Sequence, residues 1–321
     1  MNRSRFRLGI VLAVVVPVVG CTSIQDWIKD HNSSPKGSET LKPVPAESLV
    51  AYINDRAAKL QTIEYADIRV VARDGLITFP GLRGSLTAAQ PRYFRMTGTG
   101  GAVGAKVDLG SNPDRFWAYF DGPGGPVYVF ASHTEFEAGK APLPGGIPFE
   151  PDWVMEALGM TRLPPTNQYS APPPDAKHRT YSLTWPALAP GGPPTGKDGG
   201  ARPALIPVVK EVVFDADPAA DPKPQVKKHV IRDAKNNVIC SAEIKQAKTV
   251  PAGPDPRGPT VQYPTVVVLR WDQKKFELEL DLKAGEVNKP LTEETSRRLF
   301  TPPTIPNASP IDLAQYKYPQ K

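Results

Sequence analysis

The side chains best suited to nucleophilic or metal chemistry are few in this 321-residue chain and poorly spaced for it. His31 falls in a polar tether, His133, His178 and His229 have no nearby Asp, Glu or Cys spacing that suggests a metal site, and neither a Gly-x-Ser-x-Gly elbow nor a Cys-x-x-Cys pair occurs. Gly98-Thr-Gly-Gly-Ala-Val-Gly104 superficially fits a dinucleotide fingerprint. It falls between two strand candidates and opens no helix, so a hairpin turn is expected there. Glu277, Glu279 and Asp281 alternate with Phe276, Leu278, Leu280 and Leu282, which puts the carboxylates on the wet face of a strand. The pattern nominates no catalytic residue, no metal site and no cofactor, and the chain reads as non-enzymatic. A hydrolase would have to assemble a carboxylate or serine cluster in space alone.

One cysteine sits where a thiol has a use. Arg3, Arg5 and Arg7 precede the apolar run Leu8 to Val19, a secretory-signal pattern too short for a bilayer span of roughly 20 residues. The run ends in Val18-Val19-Gly20-Cys21, which resembles the lipobox of bacterial lipoproteins. That resemblance implies a signal peptide over 1–20, cleaved before Cys21, and lipid carried on Cys21. Two or more acyl chains anchor a protein stably. Residue 22 is threonine, not aspartate, which resembles the outer-membrane sorting signal of many Gram-negative bacteria. The expected location is the cell envelope, on the outer membrane facing the periplasm. Loss of the three arginines lowers 39 basic residues to 36 against 33 acidic ones, and no basic block remains. A nucleic-acid partner is therefore not expected. With Cys21 modified no intramolecular disulfide is possible, and Cys240 is expected to be a buried, inert thiol.

The elements follow from periodicity. Residues 21–44 read as the lipidated cysteine and a polar tether. Pro45 to Leu60 is predicted as a helix, with Leu49, Val50, Ile53, Ala57 and Leu60 on its apolar side and Asp55, Arg56 and Lys59 outward. Pro151 to Leu158, closed by Gly159, is a second helix. Strands are predicted at 63–72, 84–88, 92–97, 103–109, 115–120, 127–131, 178–185, 208–214, 226–232, 238–247, 266–271 and 275–283. Short connections such as Ser111-Asn-Pro-Asp114 make them antiparallel neighbours. The fold class is α+β, mainly antiparallel β. Proline, at about 12% against a usual ~5%, excludes a mostly helical protein. Of the 38 prolines, 18 fall within 142–224, which together with 251–264 reads as long insertions, and 304–321 reads as a tail.

Large apolar residues are the remaining feature. They can pack solid, or they can line a groove that accepts acyl chains. Phe94, Met96, Phe116, Trp117, Tyr119, Tyr128, Phe130, Phe276, Leu278 and Leu280 are the candidates to line it. A one-residue shift in register would reverse the face of any strand.

Three short motifs resemble the LolA/LolB superfamily of outer-membrane lipoprotein carriers and receptors. They are Gly84-x-Leu86 with Pro91-Arg-Tyr-Phe94, then Leu109-Gly-Ser-Asn-Pro-Asp-Arg-Phe-Trp-Ala-Tyr119 with Asp121-Gly-Pro, and finally Leu299-Phe-Thr-Pro-Pro303. The resemblance spans 45–303. It implies a half-open β-barrel of about eleven strands covered by helices, with an apolar cavity for lipid or lipoprotein acyl chains. The lipid-anchored receptors are the nearer analogue. Gln90 departs from the basic residue the carriers typically have before that proline, and the proline-rich insertions are foreign to them. Leu143 and Ile147 are candidates for a membrane-contacting loop. The reading is a monomeric, membrane-anchored lipid binder in lipoprotein sorting or envelope lipid handling. The alternative is a scaffolding lipoprotein with a filled barrel and proline-rich interaction loops.

Overall fold

The computed structural model describes residues 41–75, 77–78, 81–100, 104–122, 125–141, 151–190, 205–216, 225–306 and 308–316. The lipobox residues Val18, Val19, Gly20 and Cys21 and the loop candidates Leu143 and Ile147 lie outside the described residues.

Alternating sequences produce one large sheet. Its strands are β1 (Thr62–Asp74), β2 (Ile77–Thr78), β3 (Leu82–Ala89), β4 (Tyr93–Gly100), β5 (Ala105–Ser111), β6 (Arg115–Asp121) and β7 (Val127–Ser132) in the first half. The second half adds β8 (Thr180–Pro190), β9 (Leu205–Asp215), β10 (Gln225–Asp233), β11 (Val238–Pro251), β12 (Thr260–Trp271) and β13 (Phe276–Val287), and β14 (Ile311–Asp312) closes the order. The path is β14-β7-β6-β5-β4-β3-β1-β13-β12-β11-β10-β9-β8. Two antiparallel meanders thus join through β1 and β13, paired from Ile63↔Val287 to Asp74↔Phe276. Among the described residues β8 pairs with neither β7 nor β14, so the barrel is open. Among the described residues only β14 on β7 is parallel.

Register assigns the faces. Leu86, Met96, Leu109, Ala118 and Val129 lie side by side, as do Ala88, Phe94, Ser111, Phe116 and Ala131. These rows face the concave interior, where Leu86, Ala88 and Phe94 share a core with Ile68, Trp271, Leu280 and Leu282. Gly84 pairs with Gly98 in the next row, and a Cβ on Gly84 would lie 1.7 Å from the Thr97 carbonyl oxygen. Only glycine permits that close approach between curved strands.

Helices cover the concave face. These are α1 (Ala46–Lys59), α2 (His133–Glu137) and α3 (Pro151–Ala157); α4 (Glu293–Leu299) belongs to the C-terminal segment. Leu49 and Tyr52 of α1 pack with Tyr181, Leu183, Val212 and Phe214. Trp153 and Met155 of α3 enter the main core, with the Trp153 ring 5.8 Å from that of Trp271.

Two boundaries move from their sequence-based positions. The tether was expected to reach residue 44, yet Leu41 and Val44 are buried against the α1 core, so the packed domain begins by Leu41. The tail expected over 304–321 also packs: Leu313 is buried, Ile311–Asp312 pairs with β7, and Ile305 lies on the outer face of the sheet. The helix outward face changes too. Asp55 and Lys59 pair in solvent at 2.6 Å, whereas Arg56 turns inward, because its guanidinium finds the Tyr52 ring and hydroxyl.

Candidate functional site: a cavity beneath the helices

The structure divides the ten groove candidates between two faces. Phe94, Met96, Phe116, Phe276, Leu278 and Leu280 point to the concave side by register. Trp117, Tyr119, Tyr128 and Phe130 point the other way and form a separate cluster with Ile305 and Ala308. Strand β6 is apolar on both faces because the C-terminal segment covers the second. Arg95 donates to the Leu299 carbonyl at 2.8 Å, Asn112 to that of Phe300 at 3.1 Å, and the Tyr128 hydroxyl to that of Pro303 at 3.0 Å. These four aromatics therefore fasten the segment and lie away from the interior.

The cavity lies elsewhere along the concave face, between α1, the end of α3, and strands β8 to β12. Its volume is about 40 Å³. Ile53, Leu158, Leu163, Trp185, Val212, Val226 and Ile244 give it an apolar wall. Tyr263 closes one side, with its ring against Tyr65 and its hydroxyl donating to Gly285 at 3.1 Å.

Set into this wall is a polar group that sequence spacing did not nominate: Arg56, Glu156, His229 and Gln262, with Lys210 behind them. They come from α1, α3, β10, β12 and β9, so no linear motif records them. One local signal existed. In Val208, Lys210, Val212 and Phe214 the lysine occupies an inward position of an otherwise apolar alternation. It is buried and reaches Glu156 of α3 at 2.9 Å. A buried pair of this kind tolerates loss of neither partner alone.

Burial, reinforced by the positive charges of Lys210 and Arg56, lowers the His229 pKa to about 4. The imidazole is therefore neutral at pH 7. Its Nε2 has no protein hydrogen-bond partner, and neither side-chain amide atom of buried Gln262 has one. Arg56 donates to two neutral oxygens, Tyr52 Oη at 3.1 Å and the Gln262 carbonyl at 3.4 Å, and pairs with no carboxylate among the described residues. The site is thus apolar, carries one uncompensated cation, and holds buried polar atoms facing space. Each such atom costs about 1–3 kcal/mol if it stays unsatisfied.

Few polar links hold the helices over this site. Gln90 donates its side-chain amide to the Leu60 carbonyl at 2.9 Å and also to that of Ala57, at the C-terminus of α1. Asn54 of α1 both accepts from Leu163 N at 2.7 Å and donates to Leu163 O at 3.0 Å.

A second polar cluster is bridged by an arginine. His133, Glu137 and Asp152 bring ligand atoms within 4.8 Å of one another. Arg92 occupies their centre of charge, at 2.6 Å from Glu137 and 2.7 Å from Asp152. His133 Nε2 lies 2.9 Å from the Asn112 carbonyl, and burial together with Arg92 lowers its pKa. Cys240 is buried in the core and forms no disulfide among the described residues. Among the described residues no helix is long and apolar enough to cross a membrane.

No family model and no curated protein matches this chain. Solved structures do. The chain is similar to a domain from Vibrio parahaemolyticus named for outer-membrane lipoprotein sorting, at 11% identity over 79% of this chain and 98% of that one, with a TM-score of 0.44. It is similar to a DUF1329 family protein from Desulfovibrio piger ATCC 29098, at 11% identity over 81% and 100%, TM-score 0.48. It is also similar to a LolA superfamily protein from Nitrosomonas europaea, at 10% identity over 81% and 98%, TM-score 0.42.

Proposed function

We propose that this chain is a membrane-anchored, non-enzymatic lipid binder, held in the envelope through Cys21, whose open barrel takes the acyl chains of a lipid or lipoprotein beneath α1 and α3. Its place would be the outer membrane, facing the periplasm, acting as a monomer in lipoprotein sorting or envelope lipid handling. Holding would be by apolar burial, worth about 0.8 kcal/mol per methylene, without covalent chemistry. The observation that supports this is the cavity between the helices and the sheet, apolar in its wall and bounded by elements that only a few polar side chains tie down. In this reading the helices move outward to admit a chain, with Phe94, Met96, Phe116, Phe276, Leu278 and Leu280 extending the apolar track.

The volume favours a second reading. Small-molecule pockets run to ~300–1,000 Å³, and this one is about 40 Å³. A scaffolding lipoprotein with a filled barrel would look the same at rest. Uptake of a fluorescent fatty acid by the purified chain separates the two. The binder takes up the probe saturably, and Ala157→Phe, which fills the cavity from α3, abolishes uptake. A chain that never takes up the probe is a scaffold.

A further inference from the structure

From the residues around the cavity we infer that it recognises the carboxylate of a long-chain fatty acid, with Arg56 supplying the charge and Gln262 and His229 supplying hydrogen bonds. This rests on the proposal that the interior takes acyl chains, and it adds which end is recognised and by what.

Charge is the first argument. Glu156 is matched by Lys210 at 2.9 Å, and His229 is neutral at pH 7, so Arg56 leaves the site one positive charge in excess. A single anion balances it, and a cationic or zwitterionic head would meet that charge unfavourably. Hydrogen bonding is the second. Arg56 uses two of its five N–H donors on neutral oxygens and keeps the rest. Gln262 Nε2 and His229 Nε2, the latter in the tautomer that carries its proton there, are further donors without a protein partner. Acceptor-only ionised carboxylates suit such a set. Size is the third. A cavity of about 40 Å³ accommodates a group the size of one to three waters, which fits a carboxylate and crowds a phosphate ester. The apolar side chains around the polar group, Ile53, Leu158, Val212 and Ile244, then receive the first methylenes.

The test measures binding of palmitate, hexadecanol and hexadecyl phosphate to the purified chain at pH 7 by titration calorimetry. Palmitate is expected to bind at least ~10-fold more tightly than hexadecanol, as a charge-assisted hydrogen bond implies, and more tightly than hexadecyl phosphate. Arg56→Gln should erase the preference for palmitate while leaving hexadecanol affinity in place, and Arg56→Lys should retain part of it. Equal affinity for palmitate and hexadecanol in the wild-type chain overturns the inference without touching acyl binding, and needs no variant. So does preference for the phosphate, or a preference that survives Arg56→Gln. Failure of all three to bind overturns the acyl-binding proposal itself.

Discussion

The Gln90 side-chain amide donates to the Leu60 carbonyl at 2.9 Å, where the backbone leaves α1. It also reaches the Ala57 carbonyl, so one side chain on the turn between β3 and β4 satisfies two carbonyls at the end of the covering helix. The Ala57 carbonyl also accepts from the Leu60 N–H at 3.2 Å, whereas a carbonyl past the last turn, such as that of Leu60, has no partner within the helix.

Gln90→Ala should therefore loosen α1 without unfolding the sheet. Two hydrogen bonds of ~1 kcal/mol each are lost, for a fall in melting temperature of a few degrees. Hydrogen exchange should accelerate in α1 and stay unchanged in β5 and β6. Unchanged α1 exchange would show that Gln90 does not hold the helix.

The Glu156–Lys210 pair should be costly to break and cheap to remove. Lys210→Met alone leaves the Glu156 carboxylate facing the interior and is expected to cost about 3–5 kcal/mol, whereas Lys210→Met with Glu156→Leu should recover most of it. Denaturant unfolding of the four members of this cycle measures the coupling. Additive effects would place the pair outside the interior.

How much of this was legible in the sequence depends on what lies on each face. In β13 one face is wet, so Phe276, Leu278 and Leu280 alternate with acids and register could be read directly. In β6 the C-terminal segment covers the second face, so Phe116-Trp-Ala-Tyr-Phe120 is apolar throughout and alternation carried no information. The short helices α2 and α4 did leave a signal that periodicity over longer windows overlooks. Ser132 accepts from Glu135 N and Thr292 from Thr295 N, each a capping residue three positions ahead of its partner. The polar group around the cavity was not legible as a set, because Arg56, Glu156, Lys210, His229 and Gln262 are joined only by the fold.

Trp117→Ala should separate stability from binding. The indole Nε1 donates to Asp108 at 3.1 Å, and its ring covers Gly110, where a Cβ would come within 2.0 Å. Deleting a buried indole costs about 3–5 kcal/mol. Because the ring lies on the face away from the cavity, the folded fraction should take up fluorescent fatty acid with wild-type affinity. Weakened uptake at equal folded fraction would place Trp117 in the binding path.

Acid should destabilise the fold through His229. Its folded pKa of about 4 lies below the unfolded value of about 6.5. Between these values the unfolded chain binds more protons, so unfolding free energy falls as pH drops from about 6.5 to about 4 and loses nothing more from this group below that. The full window is worth on the order of 3 kcal/mol. His133, also lowered, contributes with the same sign. His229→Phe should flatten the part of the profile that belongs to His229, read by denaturant unfolding at several pH values; an unchanged slope would contradict its burial as a neutral group.

The central claim is that the space beneath α1 and α3 holds acyl chains. It is tested most directly by purifying the chain from envelopes under mild conditions, extracting it with organic solvent and quantifying lipid by mass spectrometry, with any lipid on the proposed anchor Cys21 counted separately. The account predicts non-covalent lipid near one molecule per chain, lost in Ala157→Phe. Repeated preparations free of non-covalent lipid, which also fail to take up added fatty acid, would contradict it.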